Sequence, residues 1–184
     1  MTNREKLKSL IGSEAYRYAK EPFKLASGKM SNHYFNCKTI TLHPERLAVL
    51  AAYTVNEHIP SFLNSMPESV GGLTLGADPI CYAISLHYSS MGKLVYPLIV
   101  RKEAKDHGTG KQIEGFADKI KSCLVVDDVI TTGGSTMKAV DALRKAGKEI
   151  TRAICIIDRE EGGRELLNEN GIELFPLFTK SDFK

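Results

Sequence analysis

The period of this sequence changes repeatedly after residue 68, and that alternation limits the folds open to the chain. Short apolar runs are followed by segments with helical spacing: "SVGGLTLGA" by "DPICYAISLHYSSMG", "KSCLVVDD" by "GSTMKAVDALRKAGK", and "TRAICIIDR" by "GGRELLNENG". "KLVYPLIVR" adds a strand with Pro97 in its middle, and "IELFPLFTKSDF" closes as an edge strand and tail. Asp78 is expected to cap the first of these helices, with Pro79 at its first position, and Gly147 to stop the second. Strands alternating with helices predict an α/β fold, a mostly parallel sheet flanked by helices on both faces. In such sheets ligands bind beyond the carboxyl ends of the strands. Four strand ends run into "GADP", "RKEAKDHGTG", "DDVITTGGS" and "DREEGGR", so these segments are expected to converge on one edge.

Before this region the pattern differs. Leu7, Leu10, Ile11, Ala15 and Tyr18 recur at helical spacing and predict a helix through the first 20 residues. "FKLASGKMSNHYFNC" alternates around Ser27-Gly28 and reads as a short hairpin, and "PERLAVLAAYTVNEHI" as a helix opened by Pro44. The expected organisation is one domain over 1–184. A helix and small N-terminal hood occupy about 1–45, and an α/β core with a loop at 101–115 occupies about 46–184. With 42% hydrophobic residues the chain suffices for one full core.

The net charge of +3 does not suggest a protein that coats nucleic acid. No run of 18 apolar residues predicts a membrane span, and the charged N-terminus does not read as a secretory signal. Cys37, Cys81, Cys123 and Cys155 lie far apart, three of them in apolar runs, and are expected to be free buried thiols of a cytoplasmic protein rather than zinc ligands.

In "LVVDDVITTGGSTMKAV" a turn of small and hydroxyl residues leads into a helix. Backbone N–H groups there can converge on one anion, aided by the helix dipole and by the hydroxyls of Thr131, Thr132, Ser135 and Thr136. The adjacent Asp127 and Asp128 would repel a phosphate. They are expected to hold sugar hydroxyls, a metal or a developing positive charge, and a phosphorylated sugar satisfies both halves. A plain strand-to-helix turn is the bland alternative. Neither GxxxxGK[ST] nor GxGxxG is present, which excludes those nucleotide signatures. The segment Arg101–Gly115 carries Arg101, Lys102, Lys105, His107 and Lys111 among acids and three glycines. It reads either as a solvated loop or as a mobile lid bringing cations over an anionic leaving group. Arg159, beside Asp158, is a candidate for gripping a carboxylate or imide edge, or else a surface ion pair.

"VVDDVITTGGST" resembles the ribosyl-phosphate signature of the type I phosphoribosyltransferases. "FKLASGKMSNHYFNCK", "RKEAKDHGTGK" and "DREEGGR" resemble, in order, segments of their orotate-using branch, over about residues 20–165. The resemblance implies transfer of ribose 5-phosphate from 5-phosphoribosyl 1-pyrophosphate (PRPP) to orotate, giving orotidine 5′-monophosphate and pyrophosphate in pyrimidine biosynthesis, with Mg²⁺ required. It also implies a homodimer that shares the lid across its interface. It places PRPP on Asp127, Asp128, Val129, Ile130, Thr131, Thr132, Gly133, Gly134 and Ser135, with Asp127 and Asp128 at the ribose. Arg101, Lys102, Lys105 and His107 would hold the pyrophosphate, with Lys105 catalytic. Orotate would contact Thr131 and Arg159, with Tyr34 and Phe35 over the ring, and Mg²⁺ would ride on the substrate near the acid pair. Some members carry lysines at the position of Ala26 and in the Gly76–Pro79 turn, and this chain has neither; Lys24, Lys29 and Lys38 are the nearby cations. Two other readings stay open: a phosphoribosyltransferase for another base, and a PRPP-sensing regulator that binds RNA.

Overall fold

The computed structural model describes residues 1–24, 30–103 and 111–183, apart from the side chains of residues 23 and 24. Helix α1 (Asn3–Leu10) opens with a reciprocal cap. Thr2 Oγ1 accepts the Glu5 N–H at 3.2 Å, and Glu5 Oε2 accepts the Thr2 N–H at 2.8 Å. One wide turn (Ile11–Ala15) ends it, and the chain enters β1 (Tyr16–Lys24). The helix expected through residue 20 therefore stops at Ala15. Pro22 cannot continue a helix, and residues 16–18 find strand partners in β2 (Met30–Phe35), with Tyr16 opposite Phe35 and Tyr18 opposite His33. Tertiary pairing outweighs the local helical spacing here.

After α2 (Lys38–Thr41) and α3 (Pro44–Tyr53), β3 (Ser69–Leu73) begins the main sheet. It is followed by α4 (Asp78–Ser90), β4 (Tyr96–Val100), β5 (Ile113–Glu114), β6 (Leu124–Ile130), α5 (Gly134–Lys145), β7 (Arg152–Asp158), α6 (Gly163–Glu169) and β8 (Glu173–Thr179). The strand order is β5-β4-β3-β6-β7-β8, parallel except for β5. The chain leaves β3 in one direction to β4 and resumes at β6 on the other side, so the order reverses between β3 and β6. That reversal point is where an open α/β sheet binds its ligand.

Alternation along the strands supplies two cores. Leu124, Val126, Ile154 and Ile156 pack with α1, α3 and α4 on one face, and Val125, Ala153 and Cys155 pack with α5 and α6 on the other. Phe35 and Ile40 join the first cluster, so the N-terminal elements share the core's packing. Pro97 is tolerated in β4 because the edge it leaves without a donor pairs with β5 only at Ile99 and Val100. β5 itself corrects the expectation of a plain loop over 101–115.

Of the two capping expectations one shifts and one holds. Helix α4 is capped by Ala77, and Asp78 instead accepts the Thr74 hydroxyl at 2.7 Å, folding the turn after β3 onto the helix start. Gly147 does follow α5, with φ +78°. At Gly72 a side chain would run into the Val126 carbonyl and come within 2.6 Å of Ala77 Cβ. Gly72→Ala is expected to destabilise the fold by about 1–3 kcal/mol, read as a lower urea midpoint at unchanged slope. An unshifted midpoint would show that β3 and β6 tolerate separation.

Candidate active site

The ladder between β3 and β6 ends at the pairs Val70–Leu124 and Gly71–Val125. β6 continues to Ile130 against β7, so Asp127 and Asp128 lie on a stretch of β6 without a β3 partner. The acids thus sit inside the strand, where a mouth opens, rather than at its end as the sequence suggested. Successive side chains diverge, so one acid faces each side of the sheet. Asp127 is buried toward α5, where its Oδ2 accepts the Thr136 hydroxyl at 2.7 Å and its Oδ1 the Asp128 N–H at 2.9 Å. Asp128 is half-buried, and its Oδ1 accepts the Val129 N–H at 2.9 Å. The turn after β3 rides directly on the pair. A Cβ on Gly76 would stand 2.7 Å from Asp128 Oδ1 and 3.2 Å from Asp127 Oδ1.

Burial first, and the Asp128 charge second, push Asp127 up from an ordinary 3.8 to about 7, against the opposing pull of the Thr136 hydroxyl. Thr136 is accordingly a carboxylate partner and not the phosphate donor expected of it. Nothing in the motif marks it, except that it lies on the first turn of α5, facing back to the strand. Val129 is half-buried and Ile130 fully buried in the cores, so what Ile130 offers the site is backbone: its carbonyl accepts the Arg159 N–H at 2.8 Å.

Beyond Ile130, Gly133 takes φ +80°, a left-handed conformation that suits glycine, and starts α5 at Gly134. Gly163 packs beneath it: a Cβ there would strike the Ile130 side chain and stand 2.7 Å from the Thr131 carbonyl. This glycine-on-glycine contact braces the loop from the β7–α6 turn. Thr132, Gly134 and Ser135 are exposed, with Thr131 half-buried. The first N–H groups of α5 have no acceptor within the helix, and Thr136 ties that first turn to Asp127.

One strand over, Arg159 is 2% exposed, which rules out the surface ion pair considered for it. Its Nη2 donates to Ser31 Oγ and to Glu161 Oε1, both at 2.9 Å, and its guanidinium lies 5.8 Å from the Phe35 ring centroid. Among the described residues its buried Nε has no acceptor and Glu161 Oε2 no donor. Ser31 and Glu161, unmarked in the sequence reading, hold this side chain and tie the hairpin to the core. Phe35 is buried against Tyr16 and Phe183, while Tyr34, the next residue outward, is 44% exposed.

Arg101 leaves β4 with its N–H bonded to the Gln112 carbonyl at 2.9 Å and its Nε to Glu114 at 2.9 Å, closing the base of the intervening segment. Lys102 is exposed. Lys105, His107 and Ala26 lie outside the described residues. Among the described residues no group of three or more His, Cys, Asp or Glu converges. Asp128, half-buried and joined to Asp127 by a side-chain hydrogen bond, is the acid of the pair that could meet a cation. All four cysteines are buried and unpaired.

Residues 83–170 match the phosphoribosyl transferase domain family. That agrees with the cradle and acid pair at the reversal point, and by class the chain is a phosphoribosyltransferase. An orotate phosphoribosyltransferase of Leptospira biflexa is 58% identical over 182 residues, covering 99% of this chain and 98% of the relative. One from Aquifex aeolicus is 42% identical, at 99% and 98% coverage. Two crystal structures of the Mycobacterium tuberculosis orotate phosphoribosyltransferase superpose over 99% of both chains. One, with Fe(III) dicitrate, has TM-score 0.80 and 28% identity, and the other, with PRPP, 0.76 and 27%. The chain belongs to the orotate phosphoribosyltransferase family, as the resemblance of its motifs implied.

Since Asp127 binds its proton more tightly folded than unfolded, folding loses stability as pH rises from about 3.8 to about 7 and stays lower above that. Asp127→Asn keeps the shape and removes this penalty. The melting temperature of the variant minus that of the parent is expected to be more positive at pH 8 than at pH 4.5, by on the order of 3–6 °C. A difference that stays flat across this range would contradict the burial assigned to Asp127.

Proposed function

We propose that the chain transfers the ribose 5-phosphate of PRPP to N1 of orotate, forming orotidine 5′-monophosphate and pyrophosphate. The observation that carries this reading is the gathering, along one sheet edge, of the glycine turn that opens α5, the Asp127–Asp128 pair on β6, and a buried arginine one strand further on. The 5-phosphate lies on Thr131–Ser135, and Asp127 and Asp128 take the ribose hydroxyls. Arg159 reads the orotate carboxylate, a role its unpartnered Nε supports, with Thr131 beside it and Tyr34 and Phe35 on the hairpin side.

As the bond from C1 to pyrophosphate breaks, positive charge grows on the ribosyl ring and negative charge on the leaving group. The acid pair stabilises the first and the cations of the 101–115 segment, Lys105 foremost, the second. Asp128, beside Asp127, would be the residue to hold Mg²⁺ together with the substrate, and the ion would supply further charge neutralisation. Orotate N1 closes on C1, and no side-chain nucleophile is required.

The reading extends to assembly and location. Leu42, Leu75, Tyr82 and Leu86 are each at least half exposed, and Tyr82 joins the cavity lined by Leu42 and Leu75 to the one lined by Leu86, Leu94 and Phe116. We assign this apolar band to a second copy of the chain, which would bring its lid to the neighbouring site. Among the described residues no helix is long and apolar enough to cross a membrane. We place the enzyme in the cytoplasm, without a nucleic-acid partner.

Incubation with orotate, PRPP and Mg²⁺ is expected to deplete orotate absorbance and release pyrophosphate, with uracil and purine bases inert. Asp128→Asn should lower kcat/KM by on the order of 100-fold. Turnover of another base in place of orotate would sink the assignment, and salt-dependent RNA binding without turnover would replace it with the regulator.

A further inference from the structure

β7 and β8 run parallel, with Asp158 opposite Thr179. The next residue of each, Arg159 and Lys180, therefore leaves the same sheet edge beside the other, and one carboxylate stands between them. Glu161 Oε1 lies 2.9 Å from Arg159 Nη2 and 4.0 Å from Lys180 Nζ. The turn folds Glu161 back toward Arg159, with left-handed backbone on either side of it, at Glu160 (φ +56°) and Gly162 (φ +101°). All three side chains are withdrawn from water: Arg159 is 3% exposed, Glu161 13% and Lys180 18%. Lys180 has no other partner among the described residues. Its own turn is fixed on both sides. Ser181 donates its N–H and its hydroxyl to Glu160 at 3.0 and 2.6 Å, and the Phe183 ring packs on Phe35 with centroids 5.6 Å apart.

A bland reading makes Glu161 the glue between two cations. Charge counting goes further. Arg159 and Glu161 alone form a neutral pair, which has no net attraction for an anion. Lys180 restores one positive charge to the group, and at 4.0 Å it does so as a charge, beyond hydrogen-bond range. The neighbouring acids are engaged elsewhere: Asp158 lies 3.2 Å from Arg164, and exposed Glu160 is bonded to Ser181. Arg159 Nε, buried without an acceptor among the described residues, is a donor left for a ligand. We infer that Lys180 is a specificity-determining residue at the base end: by offsetting Glu161 it leaves Arg159 a net positive charge with which to select a base that bears a carboxylate. The inference rests on the proposed function in taking Arg159 as the reader of that carboxylate. Lys180 works through its neighbours, as a positioning residue.

The test is calorimetric and uses two nucleotides that differ by one group, orotidine 5′-monophosphate and uridine 5′-monophosphate, which lacks the carboxylate. Lys180→Gln makes the group of three neutral, and the double variant Lys180→Gln/Glu161→Gln returns it to the charge of the parent while keeping an amide oxygen for Arg159. Lys180→Gln is expected to bind orotidine 5′-monophosphate about 10-fold more weakly, with uridine 5′-monophosphate affinity and the melting temperature unchanged. The double variant should recover the parent's affinity to within about twofold, and Lys180→Arg should retain it. Glu161→Gln alone should bind orotidine 5′-monophosphate at least as tightly as the parent, a readout that does not depend on how Lys180→Gln folds. An unchanged affinity in Lys180→Gln, an equal loss for both nucleotides, a double variant as weak as Lys180→Gln, or weaker binding by Glu161→Gln would each overturn the inference and leave the proposed function standing. A parent that binds the two nucleotides alike would overturn the role of Arg159 in the proposed function, and this inference with it.

Discussion

The separation of β3 from β6 after Gly71 and Val125 is the constraint on which the rest of the site depends. One residue past the last ladder pair the strands are still close, since Gly72 lies against the Val126 carbonyl and Ala77. Beyond it the strands part, and two adjacent acids are left on an unpaired stretch of β6. A wider separation would flood the pair with water and lower the cost of its charge. A ladder one or two residues longer would leave no mouth. The turn Thr74–Asp78 can cover the acids only because Gly76 has nothing to place between itself and them.

From this opening the division of labour follows. The pleat sends Asp127 toward α5 and Asp128 toward the hood, so Thr136 locks one carboxylate in the core while the other is only half-buried. The phosphate cradle begins three residues on, braced by Gly163 from below, and Arg159 hangs from the Ile130 carbonyl at the next strand end. Charges of opposite sign are thereby kept apart along one sheet edge, and the proposed reading matches that order to a phosphorylated sugar and an anionic base. The fixed parts belong to strands and helix starts, and the cationic segment after Arg101 is anchored at its base by Gln112 and Glu114.

Much of this could be read in the residues. Strand and helix periods were distinct from Ser69 onward because each strand is buried on both faces, and the convergence of four strand ends follows from parallel pairing alone. The "TTGGS" turn was legible because glycine and hydroxyl residues have few other reasons to gather there. What stayed hidden depends on contacts distant in sequence. Tyr16–Lys24 looked helical at its start because its strand partner, Met30–Phe35, lies further along the chain. Ser31 meets Arg159 across 128 residues, and Glu161 gives no sign in the sequence that its acid is buried. Thr136 was read as a phosphate donor because its burial against Asp127 is set by the tilt of α5, which no spacing reports.

The central claim is that this one mouth orders a phosphorylated sugar and its base in a single direction. A crystal structure of the protein with orotidine 5′-monophosphate tests it most directly. The account predicts the 5′-phosphate on the backbone of Thr131–Ser135, the ribose hydroxyls toward Asp127 and Asp128, and the base carboxylate on Arg159. A nucleotide bound in the reverse direction, or with its phosphate away from the start of α5, would contradict it.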